Sequence, residues 1–254
     1  MRAKLLGLGI GGYAFLLGVY AIGLAASAPA TLLDAALRDA SEGRLRLAEA
    51  RGTLWSGTGQ IEALDASRRS GVAKAVAWSF VPRSLLRARA EFEIRTEDSS
   101  RRFAVLLAPS RIEIADAEVS LPAELLGLAV PKLAPLRLAG ELTLRVARLS
   151  IAKRAGVQGG ATLQWRGAGS ALTPVAPLGD YELRLEGNGT AVRASLRTLV
   201  GPLRLEGSGS WTPGANPAFL GTARVAPEYR ERLDPLLRLI AVERGDGSFE
   251  LQLK

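Results

Sequence analysis

Alternation of apolar and charged residues is the feature that most constrains the fold of this chain. Residues 89–95 read Arg-Ala-Glu-Phe-Glu-Ile-Arg, and comparable runs occupy 44–47, 111–114, 141–145 and 181–186. Successive side chains of a β-strand point to opposite faces, so each run predicts a strand with one apolar and one charged face. Strands of this kind are typical of antiparallel sheets. The sequence therefore predicts a mainly β fold.

Glycine-rich segments between the alternating runs predict tight turns. Gly187-Asn188-Gly189 and Gly245-Asp246-Gly247 each fit a hairpin turn between two strands. Around Ala115-Asp116 the alternation slips by one residue, and such a slip predicts a bulge in the strand.

Three segments depart from the alternation and predict short helices. One covers 29–39 with Pro29 in its first turn, and a second covers 122–128 with Ser120 as its cap. A third covers 227–241, and its apolar face consists of Tyr229, Leu233, Leu236, Leu237 and Ile240. We therefore expect an elongated, curved antiparallel β-sheet domain with two or three short helices.

The N-terminal segment predicts a single transmembrane helix. No charged residue occurs between Lys4 and Asp34, and at about 1.5 Å per residue a helix over 5–26 can cross the ~30 Å hydrocarbon core. Arg2 and Lys4 should stay in the cytoplasm, so we expect a bacterial inner-membrane protein with a periplasmic main domain. Ala26-Ser27-Ala28 resembles a signal-peptidase site, and cleavage there is the alternative.

Small residues recur along this segment at spacings of three and four, which places them on one helix face. Because small residues let helices approach closely in lipid, one interpretation is a partner helix lying along this stripe. The other is that a segment rich in Gly and Ala contains such a stripe by composition alone. The stripe consists of Gly7, Gly11, Ala14, Gly18, Ala21 and Ala25.

These features divide the chain into three predicted parts. They are a cytoplasmic tip and transmembrane anchor over 1–27, a juxtamembrane helix or linker over 28–43, and a periplasmic β domain over 44–254. A Pro-Leu-Arg-Leu motif occurs at 135–138 and again at 202–205. One interpretation is that the β domain consists of two similar halves, about 44–134 and 135–254, and this is our prediction. The other is that so short a match arises by chance.

Composition excludes several kinds of catalytic and metal site. The chain has no Cys and no His, so it cannot form a disulfide, a Cys/His zinc site or a Ser-His-Asp triad. Glu91 with Glu93, and Glu182 with Glu186, share strand faces where we expect solvation or pairing with Arg of neighbouring strands. We predict no catalytic residue, no cofactor and no metal site.

The net charge of +8 raises the question of a nucleic-acid partner. The basic residues alternate with Glu and apolar residues and form no block of five like charges. Only 6% of the residues are aromatic, which leaves few side chains on which bases could stack. We therefore expect no nucleic-acid binding.

The four tryptophans admit two interpretations. They fill the core with their indole N–H groups bonded, or they line a groove or a partner surface. They are Trp55, Trp78, Trp165 and Trp211.

Short motifs along the chain, taken in order, resemble protein N of the bacterial type II (general) secretion pathway. They include Gly-Thr-Leu-Trp-Ser-Gly-Thr-Gly at 52–59, Ala-Trp-Ser-Phe at 77–80, Leu-Pro-Ala-Glu-Leu-Leu at 121–126, Ala-Thr-Leu-Gln-Trp at 161–165 and Pro-Leu-Gly-Asp-Tyr at 177–181. The motif positions are Gly52, Trp55, Gly57, Trp78, Pro122, Trp165 and Gly179. The resemblance covers essentially the whole chain. It implies a non-enzymatic inner-membrane accessory of the machine that exports folded proteins.

Two functions of different classes stay open. The first is a structural component that contacts other inner-membrane and periplasmic type II secretion components. The second is a membrane-anchored periplasmic groove protein that binds a lipid or another amphiphile. In the second case the apolar sheet face lines the groove, with Leu45, Leu47, Phe92, Ile94, Ile112, Ile114, Leu142 and Leu144. Whether that face is closed or leaves a cavity distinguishes the two.

Overall fold

One antiparallel sheet of 14 strands dominates the structure. The computed structural model describes residues 10–64, 71–97, 101–129, 131–152, 156–212, 218–240, 242–243 and 249–253. The strands are β1 Leu45–Gly52, β2 Ser56–Leu64, β3 Gly71–Phe80, β4 Ala90–Thr96, β5 Phe103–Ala108, β6 Arg111–Pro122, β7 Leu138–Ala152, β8 Gly156–Ser170, β9 Gly179–Asn188, β10 Val192–Val200, β11 Leu203–Trp211, β12 Ala218–Val225, β13 Val242–Glu243 and β14 Phe249–Leu253. They follow chain order up to β12, which pairs with β14, and β13 lies outside β14. The predicted mainly β, antiparallel fold is confirmed.

Helices occupy both ends of the chain and the middle. They are α1 Ile10–Ala26, α2 Thr31–Ala40, α3 Leu125–Ala129 and α4 Arg230–Ile240, with 3₁₀ turns at Pro82–Arg87, Pro131–Leu136 and Pro227–Tyr229. Within the described residues, no helix combines the length and the hydropathy that a membrane span requires.

The prediction of a helix over 122–128 capped by Ser120 is wrong in its first part. Strand β6 continues through Ser120 to Pro122, and Pro122 stands opposite Glu141 of β7. Residues 120–122 are paired with β7 in the sheet and therefore cannot adopt a helical conformation, so α3 begins only at Leu125.

Pro29 also differs from its prediction. The first helix after α1 begins at Thr31, and Pro29 forms an isolated bridge with Thr53 instead of occupying the first turn. The predicted turn after β9 is confirmed, because Asn188 Oδ1 accepts hydrogen bonds from the backbone N–H groups of Thr190 at 3.1 Å and Ala191 at 2.9 Å. The predicted turn at Gly245-Asp246-Gly247 lies outside the described residues.

The backbone is irregular near Ala115-Asp116, where Asp116 has a φ of +54°. The predicted bulge does not interrupt the pairing of β6 with β7, because Ala115 stands opposite Arg148 and Ala117 opposite Val146 in one register. A register shift separates Val146 from Arg148 in the pairing of β7 with β8, so the bulge lies between those two strands.

The sheet is strongly curved, as expected. Lys74 on β3 donates a hydrogen bond to the Ser120 carbonyl oxygen on β6, although β4 and β5 lie between these strands. Helix α3 also contacts β2 and β3. Such contacts require the sheet to curl over its apolar face. Burial in this position lowers the pKa of the Lys74 ammonium group.

The second half of the sheet has a closed core. The predicted apolar face of α4 is confirmed for Leu233, Leu236 and Leu237, which are fully buried against the sheet together with Phe249 of β14. Tyr181 lies in the same core, where its hydroxyl donates to the Leu203 carbonyl oxygen at 2.9 Å. Burial raises the pKa of this phenol.

The first half has a much smaller buried cluster. Its buried members are Ala30, Leu47, Val76 and Trp78, and α2 packs beside them. The apolar face of β1 to β5 is therefore only partly covered, and this difference between the halves positions the candidate site.

Candidate functional site

An apolar cleft of about 490 Å³ lies over the first five strands. All of its lining residues are aliphatic or aromatic. They are Leu33 and Leu37 of α2, Leu54 and Trp55 of the β1–β2 loop, and Leu47, Ile61, Val76, Trp78, Ala90, Phe92, Ile94, Val105 and Leu107 of the sheet. A pocket with so little polar character favours an apolar occupant.

The floor of the cleft is a set of cross-strand neighbours. Trp78 stands opposite Ile94, and Phe92 stands opposite Val105. Directly opposed residues in an antiparallel pair project to the same face, so strand pairing brings these side chains together. Three of the predicted groove-lining residues, Leu47, Phe92 and Ile94, lie in the cleft. Leu142 is buried in the closed second half. The other predicted positions do not line the cleft, and they are Leu45, Ile112, Ile114 and Leu144.

Two other cavities, of about 550 and 660 Å³, have linings that mix charged, polar and apolar side chains. The first includes Glu49, Arg51 and Glu97, and the second includes Arg184 and Glu186. Both are larger than the apolar cleft, which contains no charged side chain. Chemistry rather than volume therefore distinguishes the apolar cleft as the candidate site.

Helix α2 closes one side of the cleft through Asp34. The Asp34 carboxylate accepts a hydrogen bond from the Leu47 backbone N–H at 2.8 Å and forms an ion pair with Arg38. The hydrogen bond from Arg38 is the main reason that the pKa of Asp34 lies below its usual value. Ser41 Oγ accepts a second hydrogen bond, from the Leu45 backbone N–H at 2.9 Å. Side chains of α2 and of Ser41, the residue that follows it, thus cap the outer edge of β1.

Replacing Asp34 with alanine should lower the free energy of unfolding by about 1–2 kcal/mol, because the Leu47 N–H and Arg38 lose their acceptor. Asp34 has a depressed pKa when folded, so its contribution is fully present above the unfolded-state value near pH 4 and disappears as the pH falls through the folded-state value. Urea denaturation at pH 7 and at pH 3 measures both effects. Asp39→Ala, an exposed position on the same helix, is the control and should change little. Equal losses in the two variants would contradict the capping role.

The loop between β1 and β2 joins the cleft to the end of α1. Trp55 Nε1–H donates to the Ala25 carbonyl oxygen at 2.7 Å, and the Leu54 backbone N–H donates to the Ala28 carbonyl oxygen at 2.8 Å. Trp55 also lines the cleft. These bonds hold the C-terminal end of α1 beside the end of the cleft that Trp55 lines, which we call its mouth.

Four of the predicted motif positions meet at this end of the sheet. Gly52 stands opposite Gly57 in the pairing of β1 with β2, and Gly57 stands opposite Trp78 in the pairing of β2 with β3. Trp78 Nε1–H donates to the Thr53 carbonyl oxygen at 3.2 Å. Both interpretations of the tryptophans apply here, since Trp78 is buried, carries a bonded indole and lines the cleft.

The remaining motif positions lie away from the cleft. Trp165 donates from Nε1 to the Ala139 carbonyl oxygen at 3.0 Å, and Gly179 begins β9. Pro122 ends β6. These residues are not brought to the cleft.

The predicted stripe lies partly on α1. Gly11, Ala14, Gly18, Ala21 and Ala25 belong to α1, and Gly7 lies outside the described residues. Among the described residues, none approaches within 4 Å of the position that a Cβ would take at Gly18. The partner role of the stripe stays a prediction.

The opposite face of the sheet carries the paired charges expected there. Glu182 is buried and accepts hydrogen bonds from Gln164 Nε2 at 3.2 Å and Arg197 Nε at 2.9 Å. These bonds, chiefly that from Gln164, hold the pKa of Glu182 below its usual value. Glu93 forms a more exposed ion pair with Arg102, the residue before β5. Cross-strand pairing, rather than a catalytic carboxylate pair, accounts for these residues.

The sequence pattern did not predict that Asp34 and Ser41 accept hydrogen bonds from the backbone of β1. A signal was present, because Asp34 is the first charged residue after Lys4 and lies close to Leu33 and Leu37 on the predicted helix. A lone carboxylate beside the apolar stripe of a helix requires a partner.

The fold and the cleft define a mainly β protein with one curved sheet and a half-open apolar face. Residues 43–252 match the model of the family described as type II secretion system (T2SS), protein N, and the chain belongs to this family. Membership indicates a component of the type II secretion system that is associated with the cell envelope. The family is an accessory family that is not known to have enzymatic activity. No curated protein and no solved structure matches the chain.

Proposed function

We propose that the chain is an inner-membrane accessory component of the type II secretion system that contacts other components non-covalently. The family match over 43–252 carries this proposal. In it, 1–27 are the anchor with a cytoplasmic N-terminus, 28–43 are the juxtamembrane segment, and 44–254 are the periplasmic domain with its two similar halves.

The arrangement at the end of α1 supports this topology. No charged side chain occurs in α1, and large apolar residues such as Phe15, Leu17 and Ile22 are exposed on it. Such a surface is unfavourable in water and suits lipid or a partner helix. The bonds from Trp55 to the last turn of α1 and from Leu54 to the segment after it would hold the periplasmic domain close to the membrane surface.

Purification of the intact chain in mild detergent tests the proposal. Other inner-membrane secretion components should co-purify at a fixed ratio and be identified by mass spectrometry. A chain that leaves the membrane fraction, or that is recovered without any secretion component, would overturn the proposal.

Substitution in the stripe of α1 tests how such partners are held. Gly11→Leu together with Gly18→Leu should reduce co-purification several-fold, because bulky side chains keep a neighbouring helix at a distance. Gly23→Leu is the matched control, since Gly23 lies on α1 outside the stripe. Unchanged recovery of partners in the double variant would remove the stripe from the interface.

The cleft favours a second function, the binding of a lipid or another amphiphile. The sheet does not close over its apolar face in the first half, and the resulting cavity has an almost wholly apolar wall. This function is compatible with a place in the secretion system, because no residue of the α1 stripe lines the cleft.

A further inference from the structure

We propose that the cleft takes up an acyl chain of a membrane phospholipid, while the turn Pro82–Arg87 lies on the lipid surface beside it. This inference rests on the membrane anchoring proposed above. Three independent features of the same end of the sheet support it.

The first feature is the chemistry of the cleft wall. A headgroup or an extended peptide brings charges or backbone N–H and C=O groups, which would be buried there without partners from the lining side chains. A hydrocarbon chain brings none. The volume of about 490 Å³ is within the usual range of ligand pockets.

The second feature is the position of the cleft mouth. Trp55 lines the cleft and donates its indole hydrogen bond to the last turn of α1, at Ala25. Tryptophan is enriched where a membrane helix meets water. The mouth therefore lies where α1 would leave the bilayer, and an acyl chain can enter without crossing water. Ile61 and Leu107 of the wall remain 37% and 40% exposed, so the cleft is accessible from the side.

The third feature is the turn Pro82–Arg87. Leu85 and Leu86 on this turn are 58% and 90% exposed, and exposed Arg83 and Arg87 flank them. Apolar side chains between basic ones are suited to an anionic lipid surface, where leucines reach the acyl boundary and guanidinium groups meet phosphates.

The turn lies at the same end of the sheet as Trp55. Phe80, two residues before the turn, donates its backbone N–H to the Trp55 carbonyl oxygen at 2.6 Å. The Phe80 and Trp55 rings are 4.9 Å apart, and Phe92 of the cleft is 5.4 Å from Phe80. The turn, the end of α1 and the cleft thus form one continuous surface.

Fluorescence quenching tests the proposal on the full chain in vesicles of phosphatidylcholine and phosphatidylglycerol, with the phosphatidylcholine brominated near the end of its acyl chains. Those bromines lie near the bilayer centre, about 15 Å from the edge of the ~30 Å hydrocarbon core. They can quench Trp78, buried in the sheet, only when a chain leaves the bilayer and enters the cleft. We expect quenching in a variant that keeps the two cleft tryptophans, Trp55 and Trp78, and has phenylalanine in place of Trp165 and Trp211.

Matched variants assign the quenching to the cleft. In the same background, Leu107→Glu should weaken it at least about tenfold, because the chain would bury a carboxylate at the mouth. Leu220→Glu changes an exposed leucine on β12, outside the cleft, and should leave quenching unchanged. Leu85→Ser with Leu86→Ser should reduce quenching, and no reduction would exclude the turn from the lipid contact. Circular dichroism confirms that each variant is folded.

Other occupants give different results. Absence of quenching, or equal quenching in Leu107→Glu and Leu220→Glu, would overturn acyl-chain binding. A photocrosslinker at position 107 that captures a protein instead of lipid would assign the cleft to a protein partner. If the secretion components still co-purify in either case, the proposed function stands and only the lipid inference fails.

Discussion

Leu237→Ala is expected to lower the free energy of unfolding by about 2–5 kcal/mol, the range for deleting a fully buried leucine side chain. Leu237 lies on α4 and is wholly excluded from solvent in the core that α4 forms with the sheet. Its removal costs the transfer energy of the lost methyl groups and leaves a cavity in a region that the surrounding strands prevent from collapsing.

Urea denaturation followed by tryptophan fluorescence measures this effect in the full chain. Leu220→Ala is the matched control, because Leu220 is 65% exposed on β12 and its truncation should change stability by less than about 0.5 kcal/mol. Similar losses in both variants would show that α4 does not close the core of the second half.

Gly57→Ala should destabilise the chain by about 1–3 kcal/mol through overpacking. A Cβ at Gly57 would lie 2.3 Å from the Arg51 carbonyl oxygen and 2.6 Å from Cζ2 of Trp78. The carbonyl belongs to the neighbouring strand and cannot move without disturbing its ladder, and the indole ring forms part of the cleft wall. The glycine therefore permits the Trp78 indole to pack closely against β2.

A second glycine provides the control for this substitution. A Cβ at Gly169 on β8 would meet its nearest neighbour, Ala139 Cβ, at 3.6 Å, an ordinary contact. Gly169→Ala should therefore leave the urea midpoint nearly unchanged, while Gly57→Ala lowers it and shifts the emission of Trp78. An unshifted midpoint for Gly57→Ala would contradict the close packing of Trp78 on β2.

Local patterns predicted the strands well because alternation is a property of neighbouring residues. The alternating run at 89–95 corresponds to β4. The slip in alternation at Asp116, where the backbone has a positive φ, is visible in the sequence without any tertiary information. The start of α3 was not predictable in the same way. Ser120 and Pro122 belong to β6 because β7 extends far enough to pair with them, and the length of a partner strand is a tertiary property.

The candidate site was predictable only in part. The motif positions Trp55, Gly57 and Trp78 lie together at the cleft, and the groove alternative anticipated an apolar face that stays open. The sequence could not show which half of the sheet remains open. That depends on where α4 packs, and the helical pattern of α4 identifies its apolar face but not the strands that receive it.

The capped edge of β1 determines how neighbours can recognise this end of the molecule. The outward backbone N–H groups of Leu45 and Leu47 are already bonded to Ser41 and Asp34, so another chain cannot extend the sheet there by backbone pairing. Backbone pairing is largely indifferent to sequence, whereas side-chain contacts depend on it. In the cell envelope, a neighbouring protein must therefore recognise this end of the sheet by contacts between side chains. Exposed strands of unrelated proteins cannot bind there by backbone pairing.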